Sequence, residues 1–229
     1  FRFLDQGAIV NRLGFNNKGV DYLVQRIKLR NFNGILGINI GANKTSEGQK
    51  RVDDYLECFK KVYPYADYIT VNISSPNTPN LRSLHQKENF LPLFEALHLA
   101  RNEAKYCNPI FIKLSPDEDE QIIAEILVAI KKFEFDGVIT SNTTVRKDNL
   151  RYSGQHNLEG GLSGRPLLDK SNELLKFTHS HAPDLLKIGV GGVDSKESFN
   201  SKLDNGASLV QIYTSFIYQG PEIVNKLLR

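Results

Sequence analysis

Six short apolar runs, each followed by a stretch with helical spacing, constrain this chain more than any other feature. They occupy residues 34–40, 68–71, 109–114, 137–140, 186–190 and 209–213, and in them apolar side chains mostly stand at consecutive rather than alternate positions. A strand with one wet face alternates. A strand buried on both faces has no need to, and parallel strands covered by helices are buried in that way. The segments between supply the helices. Val20, Leu23, Val24 and Ile27 recur at helical spacing within 20–29, while Tyr55, Phe59 and Val62 share a face of 51–62. Leu93, Ala96, Leu97 and Ala100 are in step within 90–105. Ser115, Pro116 and Asp117-Glu118 read as cap, N1 proline and acidic first turn of a helix reaching about Phe133. Further helices are expected over 168–179, over 196–204 behind an Asp194 or Ser195 cap, and over 221–228. Phe1 to Asn17 reads as irregular, and a long loop runs up to Pro166 with a glycine-rich end at 159–166.

A repeated βα pattern admits a closed barrel or a doubly wound sheet. Six units are visible where a barrel needs eight. A chain that starts at Phe1 and has no methionine is expected to belong to a longer polypeptide, and two further units upstream would complete a TIM (β/α)8 barrel. The expectation is therefore one α/β barrel domain over 1–229, incomplete at its N-terminus. A net charge of +3, with basic residues scattered among acids, gives no reason to expect a nucleic-acid partner. Cys58 and Cys107 stand far apart and outside any CxxC pair, so neither a disulfide scaffold nor a zinc site is expected. No apolar run approaches the roughly 18 residues of a spanning helix.

Barrels place their chemistry at the C-terminal ends of the strands. Those ends carry Asn39; Asn72 with Ser75 and Asn77; Lys113; Ser141, Asn142 and Thr143; Gly191-Gly192; and Tyr213-Thr214. Carboxylates and histidines are scarce there, which argues against paired-carboxylate glycoside chemistry and against a metal cage. His85, His98, His156, His179 and His181 fall mostly on helices or loops and read as surface residues. Asparagine is in excess instead. An amide donates and accepts, so a group of them suits a flat ligand edged with C=O and N–H, such as a pyrimidine or the isoalloxazine ring of a flavin. Gly191-Gly192 and Tyr213-Thr214 end the last two strands, where barrels often seat a phosphate on backbone N–H groups; tight packing turns are the plainer reading. No GxGxxG follows a strand, so a Rossmann nicotinamide site has no support. Lys113, inside Ile110-Phe111-Ile112-Lys113-Leu114, can be a cation beside a flavin edge, a Schiff-base nucleophile or a side chain snorkelling to solvent. Ser75, held before Pro76, has no local His–Asp partner; in a dry site linked to a proton relay it could still take a carbon-bound proton.

These residues together resemble the dihydroorotate dehydrogenase family. The resemblance is carried by Asn11-Arg12-Leu13-Gly14-Phe15-Asn16-Asn17, Gly37-Ile38-Asn39-Ile40-Gly41, Asn72-Ile73-Ser74-Ser75-Pro76-Asn77-Thr78-Pro79 and Ser141-Asn142-Thr143-Thr144. Gly160-Gly161-Leu162-Ser163-Gly164-Arg165-Pro166-Leu167, Val190-Gly191-Gly192 and Val210-Gln211-Ile212-Tyr213 continue it to the end of the chain, in order. Serine rather than cysteine at position 75 resembles the class 2, quinone-linked, membrane-associated enzymes; a class 1 enzyme using fumarate or NAD is the alternative, and a Schiff-base aldolase using Lys113 a more distant one.

The resemblance implies FMN held by Asn39, Asn72, Lys113, Ser141, Gly164, Gly192, Tyr213 and Thr214. It implies dihydroorotate, the precursor of orotate in pyrimidine synthesis, held by Asn11, Gly14, Phe15, Asn72, Asn77, Asn142 and Thr143. Ser75 would take the C5 proton while C6 gives hydride to the flavin, and a quinone would reoxidise it. No metal is implied. Relatives often have threonine and serine where this chain has Ser141 and Thr214, and methionine at Leu13. The resemblance further implies a monomer, peripheral on the cytoplasmic face of the inner membrane or on the mitochondrial inner membrane in a eukaryote. Membrane contact and the quinone entrance would come from N-terminal helices outside this sequence, as would the first two strands.

Overall fold

The computed structural model describes residues 1–74, 87–151 and 158–229. Its main sheet contains β3 (Gly37–Ile40), β4 (Tyr68–Asn72), β5 (Ile110–Leu114), β6 (Gly137–Thr140), β8 (Leu186–Val190) and β9 (Leu209–Gln211), hydrogen-bonded in that order. Every neighbouring pair is parallel. The order never reverses, so there is no switch point of the kind a doubly wound sheet must have, and the sheet is an arc of a barrel. Helix α1 (Val20–Lys28) precedes β3, and helices α2 (Gly48–Val62), α3 (Lys87–Glu103), α4 (Glu120–Lys132), α5 (Leu168–His181) and α6 (Lys196–Asp204) connect successive strands.

Burial explains the consecutive apolar runs. On β5, Ile110, Ile112 and Leu114 join the large cluster under the helices, while Phe111 turns the other way onto Ile139 and Ile188. The outermost strands have a neighbour on one side only, and there alternation returns: Ile38 and Ile40 are buried while Gly37 and Asn39 are exposed. Helix α2 is held by its buried face, Val52, Tyr55, Phe59 and Val62, at about 2 kcal/mol for each large side chain buried. Tyr55 does more than fill space. Its hydroxyl, fully buried, donates 2.6 Å to the carbonyl of Asn72, tying the helix to the end of β4. Burial raises its pKa far above the ordinary phenol value, so it remains a donor.

Two stretches read as irregular are strands. β1 (Arg2–Phe3) and β2 (Ala8–Asn11) pair antiparallel, and β2 pairs antiparallel with β7 (Gly161–Gly164), aligning Asn11 with Gly161 and Ala8 with Gly164. Ala8–Asn11 carries the strand-forming Ile9 and Val10, but Gly161–Gly164 has little strand propensity of its own, and a partner about 150 residues away creates the ladder. Close approach explains the glycines, since a Cβ on Gly164 would lie 2.1 Å from the carbonyl oxygen of Gly7.

Three further expectations change. Ser115 does not cap the fourth helix: Asp119 stands at the N-cap, and Ser115 Oγ accepts from Asp117 N–H at 3.2 Å within a turn. The last strand gives way at Gln211 to a short helix, α7 (Thr214–Gln219), before α8 (Ile223–Leu228). His98 is half-buried, its Nδ1 3.0 Å from the Phe133 carbonyl. Ser195 does cap α6, accepting from Ser198 N–H. His85 and His156 lie outside the described residues.

Candidate active site

The strand ends open on a cavity of about 1070 Å3. That is at the top of the range for ligand sites, enough for a cofactor and a small second ligand together. Asn11, Gly14 and Phe15 line one side, and Lys113, Ser141, Asn142, Thr143, Gly164, Gly192, Tyr213 and Thr214 complete it. Eleven of the residues read from sequence are thus gathered around one space. Asn72 lies just behind, through Asn142. Asn39 does not line the cavity; it sits exposed on β3, level with Thr70 of β4. Ser75 and Asn77 lie outside the described residues.

A buried amide network forms the side-chain end. Asn72 Oδ1 accepts from Ser74 N–H at 3.2 Å, from Ser74 Oγ at 3.0 Å and from Asn142 Nδ2 at 3.3 Å. A backbone N–H can only donate, so the oxygen of Asn72 must face Ser74. Its Nδ2 is left with no acceptor among the described residues. Asn142 Nδ2 also donates 3.0 Å to Ser74 Oγ, and Asn142 Oδ1 accepts from Thr143 N–H at 2.8 Å. The backbone beneath is clamped as well: Asn142 N–H bonds to Leu114 O at 2.8 Å and Ser141 N–H to Val190 O at 2.9 Å. Lys113 stands beside this network with no anion partnering it among the described residues. Burial alone lowers its pKa to about 8. A cation so placed favours an electron-rich or anionic group in the cavity.

Ser74 and Asp117 were not singled out in the sequence. Ser74 is fully buried and bridges the two asparagines. Asp117 accepts from Thr144 Oγ1, from Val145 N–H at 2.8 Å and from Lys170 Nζ at 2.5 Å, fixing the segment that follows Asn142-Thr143. Burial opposes its charge, but the bonds from Lys170, Thr144 and Val145 outweigh burial and hold its pKa below the usual carboxylate value. Ser74 could have been found as the hydroxyl next to an asparagine at a strand end; Asp117 carries no such signal.

The other end is built of backbone. Gly191 and Gly192 have φ of 113° and 80°, and a Cβ on Gly192 would come 2.5 Å from Leu168 Cα. The Gly192 N–H has no partner among the described residues. Thr214 Oγ1 bonds 2.9 Å to Ser163 Oγ, linking α7 to β7. Beside it Ser215 Oγ lines the same cavity, buried and without a partner among the described residues. Tyr213, 68 % exposed, also lines this end. Unused donors next to glycines that admit no side chain fit a phosphate. The amide and lysine end fits a flat heterocycle. Among the described residues no group of three or more His, Cys, Asp or Glu could hold a metal.

The family model Dihydroorotate dehydrogenase matches residues 2–229. A dihydroorotate dehydrogenase (quinone) of Idiomarina loihiensis is 46% identical over all of this chain and 70% of the relative. One of Legionella pneumophila is 42% identical over the same shares. Among solved structures, a ligand-free DHODH of Eimeria tenella superposes with a TM-score of 0.91 at 30% identity, covering 99% of this chain and 69% of that one. The chain thus spans about 70% of the length of the relatives it matches.

Proposed function

The chain belongs to the dihydroorotate dehydrogenase family, in its quinone-linked class, and from that premise we propose how its residues carry the reaction. Dihydroorotate is oxidised to orotate with a quinone as final electron acceptor, a step of pyrimidine biosynthesis. FMN, when bound, supplies the two-electron acceptor between them. The observation that carries the assignment is the amide network of Asn72, Ser74 and Asn142 beside a buried Lys113 that has no anionic partner among the described residues. Asn72, whose Nδ2 has no acceptor among the described residues, and Lys113 are assigned to the flavin ring together with Ser141; Asn39, on the neighbouring strand outside the cavity lining, is assigned to it by family resemblance. Gly164, Gly192, Tyr213 and Thr214 are assigned to the ribityl phosphate.

Asn142, Thr143, Asn72, Asn77, Asn11, Gly14 and Phe15 hold dihydroorotate, and Ser75 takes the proton from its C5. Serine has a high intrinsic pKa, so this step needs water excluded and a relay for the proton. The lowered pKa of Lys113 is also what a Schiff-base nucleophile needs, but family membership favours the flavin role. The protein works as a monomeric single domain, peripheral on the inner membrane, where its quinone is dissolved.

The intact protein should show a flavin spectrum that dihydroorotate bleaches and a quinone analogue restores. Ser75→Ala should retain the spectrum and slow bleaching about 10²- to 10⁴-fold, the usual contribution of a positioned base. A bleaching rate near wild type would remove Ser75 from the mechanism.

A further inference from the structure

Lys202 lies on α6, on the outer side of the sheet, and is completely buried. Its ammonium has one side-chain hydrogen bond among the described residues, to Ser171 Oγ on α5. Ser171 Oγ in turn lies 3.0 Å from Gly191 O and 2.8 Å from Leu168 O. An ammonium has no acceptor, so Ser171 must accept from it and can direct its single proton only to those carbonyls. In a trans peptide the C=O and the following N–H point in opposite directions. A Gly191 carbonyl held outward against Ser171 therefore turns the Gly192 N–H toward the cavity.

We propose that Lys202 is a positioning residue for the cofactor's phosphate: through Ser171 it fixes the Gly191–Gly192 peptide so that the Gly192 N–H is presented to the anion. This rests on the assignment of that end of the cavity to a phosphate. Two further observations support it. The space around Lys202 is tight and apolar, with Leu175, Ala207 and Gly189 alongside, and a Cβ on Gly189 would come 3.1 Å from Lys202 Cδ. A methionine would fill that space without a charge, so the ammonium is retained at a cost. Burial lowers its pKa to about 7, with only Asp169 acting in the other direction. The charge also sits behind the turn in a region of low dielectric, where it favours an anion in front.

Dissociation constants of FMN and of riboflavin, which lacks the phosphate, separate this role from a merely structural one. They are measured by fluorescence quenching on the intact protein after flavin removal. Wild type should prefer FMN, and Lys202→Met should reduce that preference about tenfold while leaving riboflavin affinity unchanged. Ser171→Ala, which removes only the relayed hydroxyl, should do the same, and the double variant should lose no more than either single one. Equal weakening of FMN and riboflavin, or an intact preference in both variants, would overturn the role of Lys202. No preference in wild type would instead overturn the phosphate assignment itself.

Discussion

The two ends of the cavity use opposite means. At the β4–β6 end the groups that face a ligand are side chains, Lys113 and Asn142 with Asn72 just behind, and the two asparagines are held by buried hydrogen bonds to each other, to Ser74 and to the strands. At the β8–β9 end the ligand-facing groups are mainly backbone, and position 192 carries no side chain because a Cβ there would meet Leu168. Side chains differ in chemistry and so can discriminate a substrate and shift its protons. Backbone N–H groups are all alike and suit a phosphate, which asks only for donors. The difference implies a division of labour, with reactivity at one end and retention of the cofactor at the other.

The strongest way to break the comparison is at the backbone end. Gly192→Ala places a Cβ against Leu168 at a φ of 80°, two penalties that together cost about 3 kcal/mol. The variant should purify with little flavin, its FMN affinity reduced roughly 100-fold. Wild-type flavin content in that variant would show that the glycine turn does not grip the cofactor.

A smaller effect sharpens the role of Lys113. Burial lowers its pKa to about 8, so the free protein binds a proton there below pH 8 and loses it above. If the bound flavin requires the cation, binding takes up a proton above pH 8, and affinity falls up to about tenfold per pH unit there while staying flat below. Calorimetry across that range should show the break in wild type and none in Lys113→Met. A flat wild-type profile would remove the charge of Lys113 from cofactor binding.

The smallest expected change concerns Asp117, which touches no ligand. Asp117→Asn weakens the hold on Thr144, Val145 and Lys170. A loss of about 1 kcal/mol, roughly fivefold in KM for dihydroorotate, is expected with the flavin retained. Loss of flavin instead would place Asp117 on the other side of the comparison.

The same contrast governs what could be read from the sequence. Consecutive apolar runs gave away the parallel strands because β4, β5 and β6 are buried on both faces, and Asn72, Lys113 and Asn142 were visible because polar residues interrupt or end such runs. The β2–β7 ladder was not visible, since Gly161–Gly164 becomes a strand only by pairing with residues about 150 positions earlier. Asp117 was read as part of a helix start because a Ser-Pro-Asp-Glu run matches that pattern locally; its actual partners, Thr144 and Lys170, are distant. Lys202 looked like any helix-surface lysine, and only the packing of α5 and α6 buries it. Local chemistry was legible, and whatever depends on remote pairing was not.

The division of labour meets its most direct test in Asn142→Ala, followed by anaerobic stopped-flow bleaching of the flavin with dihydroorotate. Removing this side chain takes one donor from Asn72 Oδ1 and one from Ser74 Oγ, at about 2 kcal/mol for the two bonds together. The expected result is a full flavin complement with bleaching at low dihydroorotate slowed roughly thirtyfold. A variant that loses its flavin, while the fraction still loaded bleaches at the wild-type rate, would contradict the account.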